Sequence, residues 1–442
     1  MSKTNPYIQY MYSYPHKTAY RTLENVSLKD YAYLLSGSGH GLYLHIPFCQ
    51  TRCGYCNLFS VTGQKKEAAD KYLKAVERQA AQYEEILSPF QPEFSDLTIG
   101  GGTPLFLEEA QLANMFRMLG QYFHFAKKQE LVVETAPNQT THKKLTILKQ
   151  AGVTRVSMGI QSFSDQELKT LRRGHCARRA REALALLKTF DFPCVNVDFI
   201  YGIPGQTTES LLASLKEALF YRPDEIFLYP LYIKHGAILE RCRKETFVPD
   251  YARALGQYRE AARYLRSEGF RQDSMRRFVR GEEKRPFQEC GFRTSLALGC
   301  GGRSYLGNLH FCTPYAVTKE ESLRQIEAFE HTTDFSRITH GILLSEEEMK
   351  RRYLIRHLLI CPGLYMKRYE RQFKSRALED FPVLTEWMRE GFVRISDNQD
   401  YLTLTEEGMG LSDYLGPKLI SSDIWRKMQE WEAVHGRTDG SL

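Results

Sequence analysis

The chain has 442 residues, 42% of them hydrophobic and 26% charged, with 31 Gly and 17 Pro; this is the balance of a globular protein with two or three cores and excludes long disordered or collagen-like stretches. A formal charge of +7 comes with no run of about 18 apolar residues, so no membrane span is expected. The opening MSKTNPYIQYMYSYPHK lacks the apolar core of a secretory signal, which points to the cytosol.

Residues 1–40 are polar and aromatic, densest in YMYSYPHKTAYR at 10–21. From Gly41 an alternation begins. Short apolar, β-rich runs stand at GLYLHI (41–46), DLTIG (96–100), LVVE (131–134), RVSMGI (155–160), CVNVDFI (194–200) and EIFLYPLYI (225–233). Between them, positions 64–87, 108–123, 141–152, 179–190 and 209–220 space their apolar residues at helical intervals. Six strands alternating with helices predict parallel βαβ units and an α/β fold, a partial (β/α)6 barrel over 41–240. Chemistry in such folds gathers at the C-terminal strand ends. Residues 241–340 read as an extension with a Gly-rich turn, LGCGGRSYLGN, and 341–442 as three helices, a hairpin and a helix, a winged-helix-like order.

Ten cysteines are too few for a disulfide scaffold, and three of them, Cys49, Cys53 and Cys56, fall within eight residues after the first strand. Three thiolates on a short loop suit an iron–sulfur cluster, and a four-iron cluster held by three cysteines leaves one iron open. A structural zinc site completed by His45 or a distant cysteine is the alternative. Cys290 and Cys300, flanking the Gly-rich region, read as buried thiols or as a thiol on the substrate side. The basic blocks RRGHCARRAR (172–181) and MRRFVRGEEKR (275–285) are solvated surface or an attraction for an anionic substrate. Nucleic acid is not expected, because TEWMREGFVRIS carries few basic residues where a recognition helix needs them.

YLHIPFCQTRCGYCNLF, IGGGTP, VET, GVTRVSMGIQSF and NVDFIYGIPGQT together resemble the radical-SAM superfamily, and within it the branch of the oxygen-independent coproporphyrinogen III oxidases, the HemW-like haem chaperones and the anaerobic haem-degrading methyltransferases. The resemblance implies a [4Fe–4S] cluster on Cys49, Cys53 and Cys56 and one or two molecules of S-adenosylmethionine. Reductive cleavage of that cofactor would yield a 5′-deoxyadenosyl radical able to take hydrogen from a carbon of an organic substrate. It implies cofactor contacts from Tyr43, Tyr55, Gly101, Gly102, Thr103, Glu134, Gln161, Arg173, Asp198 and Tyr232. It implies an electron donor such as flavodoxin or ferredoxin, and an arm in which Tyr14, His16, Lys17 and Arg21 meet an anionic small-molecule substrate, a tetrapyrrole in the first instance. A two-cofactor methyltransferase or cyclopropanase on another scaffold and a non-catalytic haem carrier are the rival implications. Two departures stand out. The decarboxylating oxidases carry a further cysteine where this chain has Leu58, and the chaperones carry HNxxYW where it reads RPFQECGF (285–292).

Overall fold

The computed structural model describes residues 5–11, 13–233, 237–240, 250–281 and 292–435; Cys290 and most of 285–292 lie outside them. Among the described residues one sheet of 13 strands runs through the molecule. Its strands are β1 (Arg21–Ser27), β2 (Ser38–Ile46), β3 (Glu93–Gly101), β4 (Phe125–Thr135), β5 (Arg155–Gln161), β6 (Cys194–Tyr201) and β7 (Glu225–Pro230), followed by β8 (Phe270–Gln272), β9 (Arg277–Arg280), β10 (Ser295–Leu298), β11 (Ser304–Leu306), β12 (Leu309–Phe311) and β13 (Arg337–Leu343). The spatial order is β1-β13-β12-β11-β10-β2-β3-β4-β5-β6-β7-β9-β8.

Strands β2 to β7 are parallel neighbours in sequence order. Helices α1 (Lys66–Leu87), α2 (Glu109–Tyr122), α3 (His142–Gln150), α4 (Asp165–Thr170), α5 (Ala177–Lys188) and α6 (Thr208–Phe220) make the crossovers, so the α/β expectation holds. The reason is visible in β2. Leu42, Leu44 and Ile46 are buried in one core with Tyr72, Ala75 and Val76 of α1, while Tyr43 and His45 point to the other face by the two-residue period. Three of the six crossover helices start on a side-chain cap: Thr141, Ser164 and Thr207 accept from backbone amides of α3, α4 and α6.

Two additions were not read from the sequence. Strand β10 pairs parallel to β2 on its outer edge, a seventh parallel strand drawn from the Gly-rich region. Strand β1, from the segment read as a polar, aromatic arm, pairs antiparallel with β13.

Beyond α7 (Tyr251–Ser267) and α8 (Lys319–His331), the chain forms α9 (Glu346–Leu358), a short strand β14 (Leu364–Tyr365), helices α10 (Met366–Phe373), α11 (Ala377–Asp380) and α12 (Val383–Arg389), and strands β15 (Val393–Ile395) and β16 (Tyr401–Leu404). The three strands form a separate sheet, order β14-β16-β15, and α13 (Glu406–Gly410), α14 (Ser412–Lys418) and α15 (Ser422–His435) follow. A second core fills this unit around Leu354, Leu384, Trp387 and Leu402, and Met11, Tyr14 and Tyr20 of the arm are packed into it. No helix among the described residues is long and apolar enough to cross a membrane.

Candidate active site

The ends of β2 to β7 open into a cavity of ≈ 540 Å³ lined by the thiol-bearing loop, the GGT turn and the ends of the later strands. Cys49 closes a two-residue strand (Phe48–Cys49) that pairs with Val61–Thr62, so the loop carrying Cys53 and Cys56 is pinned at both ends. Phe48 stacks on Phe106 at 5.6 Å beneath it. All three thiols are partly buried and unpaired by disulfides. Burial pushes the Cys56 thiol up to about 12, with the neighbouring Cys53 and Cys49 adding to the shift, and raises that of Cys49.

The turn after β3 lies against this loop. The Gly102 and Thr103 amides donate to Ile46 O and Phe48 O, both at 2.8 Å, and the Thr103 hydroxyl donates to Cys49 Sγ at 3.6 Å. A Cβ on Gly102 would stand 3.0 Å from Cys49 Sγ, and one on Gly101, whose φ is +113°, would strike the His45 ring at 2.7 Å. These glycines are where the backbone must come close.

Glu134, next to last in β4, accepts from the Gly101 amide at 3.2 Å. Burial, reinforced by Asp198, raises its carboxyl to about 7. Asp198 in β6 accepts from Asn196 Nδ2 at 2.8 Å, and burial raises it to about 6. A Cβ on Gly100 would sit 2.8 Å from the Glu134 carboxylate, so that glycine makes room for the acid. Gln161 ends β5 with φ +75°, and its buried side-chain oxygen has no hydrogen-bond partner. Arg173 reaches across the loop. Its Nη1 donates to Cys53 Sγ at 3.0 Å and to the Tyr55 hydroxyl at 3.4 Å, its Nη2 donates to Gly159 O, and its buried Nε has no partner.

The residues present fit a cluster and an attendant small molecule. Three soft thiols face one cavity. Gln161 Oε1 and Arg173 Nε are buried polar atoms without protein partners on residues that line the same cavity. A single-ion site draws its donors to one point, and no group of three or more His, Cys, Asp and Glu side chains does so among the described residues. His45, the candidate zinc ligand, is engaged on both ring nitrogens, with Tyr43 OH at 3.2 Å and Phe59 O at 2.9 Å. Burial keeps it neutral, its pKa lowered to about 4.

Of the residues singled out from the sequence, Cys49, Cys53, Cys56, Tyr55, Gly101, Gly102, Thr103, Glu134, Gln161, Arg173, Asp198 and Tyr232 line this one cavity, as do His16 and Lys17. Three do not. Tyr43 lies deeper, against His45. Tyr14 turns into the C-terminal core and donates to Glu348. Arg21 reaches the C-terminal helix instead, with Nη2 donating to Lys427 O at 2.7 Å and to Glu430 Oε2 at 3.0 Å. The hydroxyl of Tyr232 donates to Asp413 of α14, which also pairs with Arg276, so this tyrosine ties the barrel to the C-terminal unit. Sequence reasoning missed Arg52, Tyr315, Val317, Met428, Trp431 and Glu432, which also line the cavity. Arg52 sits inside the cysteine loop itself, whereas no local signal marks the others, which arrive from segments far along the chain.

Comparison with known proteins agrees with this geometry. The radical SAM superfamily profile matches residues 43–218. The oxygen-independent coproporphyrinogen III oxidase of Salmonella typhimurium is 26% identical over 417 residues, spanning 88% of this chain and 89% of the relative. The heme chaperone HemW of Bacillus subtilis is 26% identical over 368 residues, spanning 82% and 94%. The crystallised coproporphyrinogen III oxidase HemN of Escherichia coli, a radical SAM enzyme, superposes with a TM-score of 0.78 at 23% identity over 93% of this chain and 96% of the other, a likeness of fold. Residues 43–218 thus match the radical SAM superfamily, and most of the chain is similar to a coproporphyrinogen III oxidase and to a HemW heme chaperone.

Proposed function

We propose that the chain is a cytosolic radical SAM enzyme that takes a hydrogen atom from a carbon of an anionic, porphyrin-type substrate, with its electron supplied by a small carrier such as flavodoxin or ferredoxin. Cys49, Cys53 and Cys56 would hold a [4Fe–4S] cluster. When bound, the reduced cluster supplies the electron that cleaves S-adenosylmethionine to methionine and a 5′-deoxyadenosyl radical. The 41–240 barrel would carry this chemistry, the arm of 1–40 and the 341–442 unit would serve the substrate, and 241–340 would brace the barrel.

The observation that carries the reading is the set of polar groups at the strand ends. Gln161 Oε1 and Arg173 Nε are buried without protein partners in the same cavity as the three thiols. Glu134 and Asp198 stand beside them with carboxyls lifted by burial, ready to ionise when an ammonium or hydroxyl donor arrives. Gly101 and Gly102 let the turn pack against His45 and the thiol loop, and Tyr55 offers a ring in the same cavity. Arg173 would hold a cofactor carboxylate with the edge of its guanidinium left open.

The second reading is methyl transfer using a second S-adenosylmethionine, favoured by Leu58. This side chain is 49% exposed and lines the cavity where the oxidases place a thiol. Anaerobic turnover with coproporphyrinogen III and with haem separates the two. Propionate decarboxylation yields 5′-deoxyadenosine alone, whereas methyl transfer yields S-adenosylhomocysteine alongside it. The Cys49→Ala, Cys53→Ala, Cys56→Ala triple variant should lose iron and acid-labile sulfide together. Stoichiometric zinc without sulfide in the anaerobically purified parent chain would sink both readings.

A further inference from the structure

The cavity has two unlike halves. Its floor comes from the strand ends and carries the thiols and the polar set. Another part of the lining comes from three distant segments: Lys17 of the arm, Tyr315 ahead of α8, and Met428 and Trp431 of α15. Tyr315 joins them. Its hydroxyl donates to Asn57 O at 2.7 Å, one residue past Cys56, so the ring is fixed to the thiol loop. The Lys17 ammonium lies 3.7 Å from the centre of that ring, and the Trp431 ring centre is 5.0 Å away. Leu58 and Val317 complete an apolar surface facing into the cavity.

Apolar side chains gathered at the mouth of a polar cavity are the mark of a ligand surface rather than of a core. Lys17 and Arg52 bring positive charge to this cavity, where Glu432 adds a carboxylate. Lys17 is only 9% exposed, so its charge acts at close range and with little screening. The wall is also held as a unit. Arg21, four residues after Lys17, donates to Lys427 O and pairs with Glu430, on the turn of α15 that carries Trp431.

We infer that Trp431, Tyr315 and Lys17 form the substrate-selecting wall of this site, fitted to a broad apolar ring system bearing carboxylate arms, and that Arg21 is a positioning residue that docks α15 against the arm. This rests on the porphyrin-type reading above. The ring body packs on Trp431, Met428 and Leu58, and a carboxylate reaches Lys17. The C-terminal helix is thus part of the binding site.

The test is an anaerobic titration of the reconstituted holoenzyme with coproporphyrin III, a stable tetracarboxylate ring, read from its visible absorption. The wild-type chain should bind one equivalent saturably. Trp431→Ala should weaken binding roughly tenfold, and Trp431→Phe should recover to within about twofold, since an aromatic body is kept. Lys17→Gln should weaken binding by a similar factor and flatten its salt dependence. Arg21→Met should weaken it about three- to fivefold. Val434→Ala, 69% exposed and outside the cavity on the same helix, is the control and should bind as the parent does. Iron content and circular dichroism report whether each variant is folded. Unchanged affinity in folded Trp431→Ala and Lys17→Gln, failure of Trp431→Phe to recover, or no saturable binding by the parent overturns the inference. Cluster assembly and 5′-deoxyadenosine release by the parent test the underlying reading separately.

Discussion

Gly102→Ala isolates the contact on which the cofactor end of the site depends. Gly102 has no left-handed φ to lose, so the effect is one of space alone. The added methyl would lie 2.7 Å from Phe48 O and 3.0 Å from Cys49 Sγ, where ordinary contact begins at 3.4 Å. Backbone and sulfur must together retreat by several tenths of an ångström. That movement opposes the two 2.8 Å hydrogen bonds that hold the turn to the Phe48–Cys49 strand. Overpacking of this kind costs about 1–3 kcal/mol, and because the displaced atom is a proposed ligand, iron occupancy should fall with stability. Gly120→Ala is the internal control. Nothing lies within 4 Å of its added Cβ in helix α2, so it should stabilise by about 0.5–1 kcal/mol with iron unchanged. The assay pairs thermal unfolding with iron and sulfide determination after anaerobic reconstitution. A Gly102→Ala chain with parental melting temperature and full iron would refute the close approach.

Arg173→Ala removes a cation and a hydrogen bond from Cys53 Sγ, so the cluster's reduction potential should fall, and Arg173→Lys should recover part of the drop; a redox titration followed by electron paramagnetic resonance reads both. Asp413→Ala leaves the buried Arg276 guanidinium without its carboxylate, and should cost about 3–5 kcal/mol in denaturant unfolding; a loss under 1 kcal/mol would mean the pair is dispensable. Glu134 has a folded pKa raised from 4.5 to about 7, so the cofactor-free native state holds a proton that the unfolded chain has released across that window. Stability should therefore be highest below pH about 4.5 as far as this group is concerned and decline toward pH about 7. Glu134→Gln should flatten that slope, leaving the part due to Asp198, and an unchanged slope would remove Glu134 as its source.

The half of the site that the sequence made legible is the half built locally. Cys49, Cys53 and Cys56 share one loop, and Glu134 and Gln161 end strands whose period and helical crossovers declare themselves within about 30 residues. Strand ends in a parallel sheet meet by construction, so reading six strands was enough to bring those residues together. The part of the lining from Tyr315 and Trp431 depends on tertiary packing between segments hundreds of residues apart. Nothing in the spacing of Trp431 or Tyr315 distinguishes either from a core aromatic. The arm shows the same limit in miniature. Its short helical turn, Lys17–Ala19, sends His16 and Lys17 to the cavity, while Tyr14 before it enters the C-terminal core and Arg21 after it reaches α15. Four neighbouring polar residues looked alike until the turn separated them. Strand β10, at four residues, was too short to show a period.

That late strand has a consequence for how the protein is made. On one edge of β2 the neighbour, β3, follows within about 50 residues, but on the other the neighbour, β10, ends at Leu298, some 250 residues downstream of Ile46. At roughly 5–20 residues per second of synthesis, the strand leading into the thiol loop stays bare on one side for about 10–50 s while the rest of the parallel sheet can already form. During that interval its free backbone groups are open to pairing with other nascent chains. The ribosome-bound intermediate is thus a sheet whose thiol-bearing edge is unsealed, and the protein's yield in a cell should depend on translation speed and on chaperones that cover this edge.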